Sequence, residues 1–185
     1  MAWIIVLIII VVIALYIAVA YNNFISLKQR VQNAWSQIDV QLQRRFDLIP
    51  NLVEAVKGYM NHESGTLEKV TALRTSWANA QTPDEKVKLD NELSQTLKTI
   101  LAVSESYPDL KANQNFLSLQ ADLKDTESKV SFSRQFYNDT VTMYNTAIQS
   151  FPSNIIAGIF HFEPSTLFTV DNSEARNAVK VDFSK

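Results

Sequence analysis

The chain begins with an apolar run at residues 1–21, which reads MAWIIVLIIIVVIALYIAVAY and carries no charged side chain. A helix of this length rises about 30 Å, which matches the hydrocarbon thickness of a bilayer. Isoleucine, valine and leucine fall all round such a helix, so it has no polar face to turn towards water. The run therefore predicts a transmembrane helix that carries the rest of the chain as a body.

A cleaved secretory signal is the alternative interpretation of this run. Ala18-Val19-Ala20 matches the A-x-A pattern of a signal cleavage site. However, no lysine or arginine precedes the apolar residues, and the run is longer than the roughly 7 to 15 residues of a signal's apolar region. Both observations favour an anchor that is retained in the cell membrane.

The basic residues nearest to the apolar run lie on its C-terminal side. Lys28 and Arg30 follow the run, whereas only the α-amino group of Met1 lies at its other end. The positive-inside rule therefore places the body in the cytoplasm, with an extracytoplasmic body as the alternative. In either orientation we expect a single-pass protein of the cell membrane.

The composition limits the kinds of protein that the body can be. The 17 Lys and Arg nearly balance the 19 Asp and Glu, which argues against a nucleic-acid partner. The absence of cysteine excludes disulfides and thiolate metal sites. Three glycines and five prolines are too few for the many tight turns of an all-β fold. We expect an all-α protein with one helical domain at residues 22–170 and a polar C-terminal tail at residues 171–185.

Apolar residues recur at helical spacing through residues 24–46 and again through residues 49–77. Pro50 interrupts this stripe, and Asp47 stands where it could cap a new helix. Because the stripe keeps its phase across Pro50, a kink in one long helix and a turn between two helices both stay open. A second break could fall at residues 61–65.

The next helix boundaries have clearer signals. Thr82-Pro83-Asp84-Glu85 combines a capping box with proline at the first helical position, so a helix is predicted to start there. Tyr107-Pro108 predicts its end, because the residue before a proline avoids the α region. An apolar stripe with the 3-4 spacing of a coiled coil then runs through residues 116–151, until Pro152 stops it. This is the longest predicted helix of the body.

Several short stretches occur along the body in the order of a known family. They are Ile38-Asp39-Val40-Gln41-Leu42, Arg44-Arg45, Asp47-Leu48-Ile49-Pro50-Asn51-Leu52-Val53-Glu54, Val56-Lys57-Gly58-Tyr59, His62-Glu63, Tyr107-Pro108, Thr126-Glu127, Tyr137-Asn138, Tyr144-Asn145 and Phe151-Pro152. In these stretches the chain resembles the LemA family of bacterial membrane proteins. The resemblance implies an N-terminal transmembrane helix followed by an antiparallel four-helix bundle, and it supplies no catalytic residue. One departure is Ser64-Gly65, where good helix formers are expected.

Three polar residues recur every seven positions on the longest stripe: Gln120, Glu127 and Arg134. A face that also carries valine and tyrosine should partly bury them, and buried charges are costly unless they are paired. We expect Glu127 to meet Arg44 or Arg45. The acids expected to meet Arg134 are Asp39, Asp47 or Glu54. Such a layer of ion pairs is typical of a structural element that fixes helix register, and a polar ligand site is the alternative.

The pairs Tyr137-Asn138 and Tyr144-Asn145 are seven residues apart, which places both rings on one helix face. We expect these tyrosines to pack in the core with their hydroxyl groups hydrogen-bonded. The two histidines, His62 and His161, lack the H-E-x-x-H spacing of a zinc site. We therefore predict no metal, no cofactor and no catalytic site.

The segment after Pro152 is unusually apolar. If four antiparallel helices follow one another from the membrane, the fourth returns towards it and brings this segment beside the bilayer. It then either docks at the membrane interface or, as we favour, caps the end of the bundle. The residues of this predicted membrane-proximal apolar segment are Ile155, Ile156, Ile159, Phe160 and Phe162.

Long helices joined by few loops offer surface rather than pockets. This favours a non-enzymatic scaffold or interaction module, with the lipid bilayer, further copies of the chain and other membrane proteins as partners. The alternative is a ligand-sensing bundle that binds a small polar molecule among Arg44, Arg45, Glu127 and Arg134.

Overall fold

A computed structural model of the chain describes residues 1–59 and 63–169. The described residues form helices joined by turns and one extended segment, with no strand among them. The predicted tail at residues 171–185 lies outside the described residues, as does His62. The helices are Ala2–Asp47 (α1), Ile49–Lys57 (α2), Ser64–Asn79 (α3), Pro83–Ser104 (α4), Pro108–Lys111 (α5), Gln114–Gln149 (α6) and Ser153–Ile159 (α7).

Helix α1 contains the apolar run and continues without a break into the body. Its 46 residues correspond to a length of about 69 Å. The apolar half of α1, residues 2–21, is exposed along almost its entire length, and burial begins at Ala20 and Phe24. Residues Ala2–Lys57, which comprise α1 and α2, form the one helical stretch within the described residues that is long and apolar enough to cross a membrane.

Pro50 marks a kink rather than a turn. Leu48 separates α1 from α2 but keeps a right-handed helical conformation, with φ −77° and ψ −18°. Its carbonyl accepts a hydrogen bond from the amide of Leu52 at 3.0 Å, so the helical path continues past the proline. The prediction that Asp47 caps a new helix was wrong, because Asp47 is the last residue of α1 and accepts a hydrogen bond from the Gln43 side chain.

Other helix ends follow local sequence signals. The capping box before α4 is confirmed: the amide of Glu85 donates to Thr82 Oγ1, and the Glu85 carboxylate accepts from the amide of Thr82. Helix α6 is capped by Asn113, whose side chain accepts two backbone hydrogen bonds. Ser64-Gly65 opens α3 instead of interrupting a longer helix, which explains why weak helix formers are tolerated there.

The core has two parts that meet at the partly buried Tyr137. The larger part lies at the far end from the apolar run and is formed by α1 through α6, with Phe46 stacked on Trp77 at 4.4 Å between ring centroids. The smaller part joins only α1, α6 and α7, and includes Phe24 and Tyr144. Helices α1 and α6 therefore form the axis of the body, and α3 and α4 pack on its far end.

Beyond α7 the chain turns back along α6. His161 adopts a left-handed conformation, with φ 55°, and the chain then leaves the helix. The strap, residues 163–169, has no regular secondary structure and runs along α6 in the opposite direction. Its Phe168 is buried in the larger part of the core, which joins the end of the described chain to the body.

Candidate functional site: a buried charge cluster and its strap

Two arginines and two acids from three helices form a charge cluster inside the body. Arg45 on α1 lies 2.7 Å from Asp90 on α4 and 2.6 Å from Glu127 on α6. It also donates to the hydroxyl of Ser94 at 2.9 Å. The second carboxylate oxygen of Asp90 accepts from Arg134 on α6. Asp90 thus bridges two guanidinium groups, and the cluster links three helices at one level.

The cluster is closed at its centre and open at one side. Asp90 has 0% of its side chain exposed and Arg45 4%, whereas Glu127 is 46% exposed. Two positive and two negative charges cancel, which is the arrangement that limits the cost of removing them from water. Burial lowers the pKa of Arg45, opposed by the charge of Glu127. Burial, and then the charge of Arg45, lowers the pKa of Arg134 to about 10, which leaves the Arg134 guanidinium group charged at pH 7.

The structure brings together some of the charged residues predicted from the sequence and not others. Glu127 meets Arg45, one of its two expected partners. Arg44 does not join the cluster: it is exposed, because adjacent residues of a helix point about 100° apart and Arg45 takes the inward position. Gln120 is also exposed, so the seven-residue repeat does not extend to that level.

Asp90 is not among the acids predicted from the sequence as partners of Arg134, which were Asp39, Asp47 and Glu54. The signal for its burial was present, because Asp90 lies three residues from both Val87 and Leu93 and so falls on the apolar face of α4. Of the three expected acids, Asp39 instead pairs with Lys86 at the rim of the body.

The tandem tyrosine–asparagine pairs of α6 hold the strap through its backbone. The Asn145 side chain donates to the carbonyl of Ser165 and accepts from the amide of the same residue, both at 2.9 Å. Asn138 forms the same two hydrogen bonds with Phe168, at 3.0 and 2.7 Å. The hydroxyl groups of both tyrosines donate to strap carbonyls at 3.0 Å, Tyr144 to Glu163 and Tyr137 to Thr166.

This match depends on two backbone spacings that agree. Seven helical residues advance about 10.5 Å, and three extended residues advance about 10 Å. Hydrogen-bonding residues seven positions apart on α6 are therefore spaced to bind strap residues three positions apart. Burial, and secondarily nearby acids, raises the pKa of Tyr137 and of Tyr144, so both phenols keep the proton that they donate. The hydroxyl groups of Tyr137 and Tyr144 are hydrogen-bonded, as expected. Their acceptors lie in the strap, which the seven-residue spacing of the two tyrosines did not indicate.

One arginine connects the charge cluster to the strap. The guanidinium carbon of Arg134 lies 4.6 Å from the centre of the Phe168 ring, within the range of a cation–π contact. Trp35 of α1 lies against the same phenylalanine, with ring centroids 6.5 Å apart. The strap and the charge cluster are therefore parts of one continuous packed unit.

The predicted membrane-proximal apolar segment divides into an inward and an outward set. Ile156 is buried at 5% exposure in the smaller part of the core, and Phe162 is half-buried. Ile155, Ile159 and Phe160 are exposed. The segment lies against α1 close to Tyr21, at the end of the apolar run.

The arrangement offers packing and hydrogen bonds rather than reaction chemistry. A cavity of about 240 Å³ lies beside the strap, lined by Trp35, Tyr137 and Phe168 among others, and none of the four clustered charges lines it. Within residues 1–59 and 63–169, histidines and acids form no group of three or more that could hold a metal ion.

Comparison with known proteins identifies the family. The family model of LemA matches residues 34–183, which include the charge cluster, both tyrosine–asparagine pairs and the strap. The chain belongs to the LemA family. Protein LemA of Metamycoplasma hominis is 27% identical over 165 residues, which cover 84% of this chain and 75% of that protein.

More distant similarity extends to magnetosome proteins. Magnetosome protein MamQ 2 of Paramagnetospirillum magneticum is 22% identical over 174 residues, or 80% of this chain. MamQ of Magnetospirillum gryphiswaldense is 21% identical over 169 residues, or 77% of this chain. The chain spans 64% and 62% of the length of these two proteins. Neither LemA nor MamQ is the name of an enzyme.

Proposed function

We propose that this LemA-family protein is a non-enzymatic scaffold anchored in the cell membrane by one transmembrane helix. The observation that carries the proposal is the unbroken course of α1 from the exposed apolar half into the core of the body. A continuous helix joins the membrane span rigidly to the body, so the body stands at a fixed height above the bilayer. The basic residues Lys28 and Arg30 favour a cytoplasmic body.

We further propose that the far end of the body is an antiparallel four-helix bundle. Three contacts support this arrangement. Trp77, near the end of α3, stacks on Phe46 of α1. Asp90, in the first half of α4, reaches Arg45. Glu127 on α6 pairs with the same arginine, so α1, α4 and α6 meet at Arg45. The charge cluster would then fix the register of the helices. This is the role for which buried polar groups in helical bundles are best documented.

The closed geometry of the cluster supports scaffolding over ligand sensing. A sensor would need polar groups exposed to a cavity. Arg45 and Asp90 instead pair directly and have almost no exposed surface, although the Nε atoms of Arg45 and Arg134 have no hydrogen-bond partner within the described residues. The charges would then hold the helices in register rather than bind a ligand.

Self-association is the second part of the proposal. The outer stripe of α6 consists of Phe132, Phe136 and Met143, which are 73%, 50% and 51% exposed. Their spacing of four and seven residues places them along one line of the helix. Because a rigid α1 holds every copy at the same height, the outer stripes of two copies in one membrane lie level and can pack symmetrically.

Cross-linking of single cysteines tests this association, and the absence of native cysteine makes the experiment direct. We expect Phe136→Cys in reconstituted membranes to give covalent dimers with a short bismaleimide reagent. Val40→Cys is the matched control, since Val40 is also an exposed apolar residue, at 64%, but lies on α1. Equal dimer yields from the two variants, or no dimers from Phe136→Cys, would contradict association through the outer stripe.

A further inference from the structure

Helix α7 and the turns at its two ends carry apolar side chains on both faces. The inner face closes the smaller part of the core with Ile156. The outer face of α7 consists of Phe151, Ile155, Ile159 and Phe160, which are 82%, 56%, 65% and 46% exposed. Capping the core requires only the inner face. The outer face therefore needs a separate explanation, because large apolar patches are rarely left exposed to water.

The outer face is continuous with the apolar half of α1. The ring of Phe160 lies 4.9 Å from the ring of Tyr21, the last residue of the apolar run. Phe162 packs against Tyr21 and Phe24, at 5.6 and 5.2 Å between ring centroids. Whatever covers the apolar half of α1 up to Tyr21 therefore also reaches the outer face of α7.

The charge distribution singles out this end of the molecule. Residues 140–162 contain no Asp, Glu, Lys or Arg, and neither do residues 1–27. Asp139 and Glu163 bound the first of these uncharged segments. The face of an interfacial segment that is buried at the boundary with the acyl chains is apolar, because desolvation of ionised groups becomes costly towards the hydrocarbon.

We propose that the outer face of α7 inserts into the interfacial layer of the same bilayer that α1 crosses. This rests on the proposed membrane anchor and adds a second contact between body and lipid. An interfacial segment buries its apolar face about 5–10 Å deep, at the boundary of headgroups and acyl chains. Aromatic residues such as Tyr21 and Phe160 suit that depth. Two contacts fix both the tilt and the rotation of the body, which one helix alone leaves free.

The test measures membrane depth at single cysteines labelled with an environment-sensitive fluorophore. The full-length protein is reconstituted in vesicles of phosphatidylcholine and phosphatidylglycerol that contain lipids with a quencher near the headgroup. We expect the label at Ile159→Cys to lose most of its emission. A label at Ser118→Cys, on an exposed position near the start of α6, should keep its emission.

A third label separates failure of the inference from failure of the anchor. Leu15→Cys lies within the apolar half of α1 and reports whether that helix enters the bilayer. In this arm the vesicles contain lipids with a quencher on the acyl chain. If these lipids quench the label at Leu15→Cys while the label at Ile159→Cys keeps its emission like that at Ser118→Cys, the second contact is absent and the anchor stands. If Leu15→Cys is not quenched, the anchor and the inference both fail. An Ile159→Cys label protected from lipid quenchers and from aqueous iodide would show a protein partner on this face, which also overturns the inference.

A double substitution supplies independent evidence. Phe151→Ser combined with Ile155→Ser removes apolar surface at two positions that are more than half exposed, so the core is left intact. The quenching of Ile159→Cys should then fall markedly. Unchanged quenching in this variant would overturn insertion of the outer face.

Discussion

Replacing Asp90 by alanine is expected to destabilise the body by about 3–5 kcal/mol. Asp90 is fully buried and bridges Arg45 and Arg134. Its loss leaves two buried guanidinium groups next to each other with only Glu127, 46% exposed, to balance them. The penalty therefore combines desolvation of the arginines with their mutual repulsion. Unfolding of the full-length protein by guanidinium chloride in mild detergent, monitored by circular dichroism, measures this change in the free energy of unfolding.

Glu127→Ala is the matched control, because it removes a carboxylate from the rim of the same cluster. It should cost about 1 kcal/mol, since Arg45 keeps Asp90 and Ser94 as partners. The sequence by itself predicts a larger cost for Glu127→Ala, about 3 kcal/mol or more, if its loss strands a buried arginine. Equal effects of the two substitutions, or less than about 1 kcal/mol for Asp90→Ala, would show that the cluster is not closed around Asp90.

The double substitution Asn138→Ala and Asn145→Ala is expected to release the strap from α6. It removes four hydrogen bonds and leaves the amides and carbonyls of Ser165 and Phe168 without their partners. Because a released strap returns these groups to water, each lost hydrogen bond should cost about 0.5–1.5 kcal/mol, and the four together should lower the local stability by about 3 kcal/mol. Hydrogen exchange at the amides of Ser165 and Phe168 should then become about 100-fold faster, while amides in the centre of α6 stay protected.

Gln135→Ala serves as the control for this variant. Gln135 is an exposed amide on the same helix and contributes to no side-chain hydrogen bond within the described residues. It should leave the exchange rates of the strap unchanged. Retained protection in the double variant would mean that burial of Phe168, rather than the asparagine side chains, holds the strap in place.

The features that the sequence predicted depend on residues close together in the chain. Residues 1–21 contain the whole signal for a long apolar helix, and the capping box at Thr82 and Glu85 spans only four positions. Periodicity also separated inward from outward positions on α6 and so indicated Glu127 and Arg134. Local rules therefore gave the helical class, several boundaries and two members of the charge cluster.

The features that were missed depend on contacts between distant segments. The partner of Arg134 is 44 residues away on α4, and a stripe on one helix does not say which helix will face it. The choice between Arg44 and Arg45 required the helix phase near the kink at Pro50, which the sequence left open. The strap was also not predicted, because its residues carry no strand or helix pattern and their role depends on a heptad 19 to 30 residues earlier in the chain.

We propose that α1 is both the membrane span and the first helix of the body. A scan of spin labels on single cysteines from Ala14 to Gln29, in the reconstituted full-length protein, tests it most directly. We expect access to oxygen and exclusion of a water-soluble nickel chelate at the exposed positions up to Tyr21, with the reverse at exposed positions from Asn22 onward. Chelate access at the exposed positions among residues 14–21 would contradict this assignment.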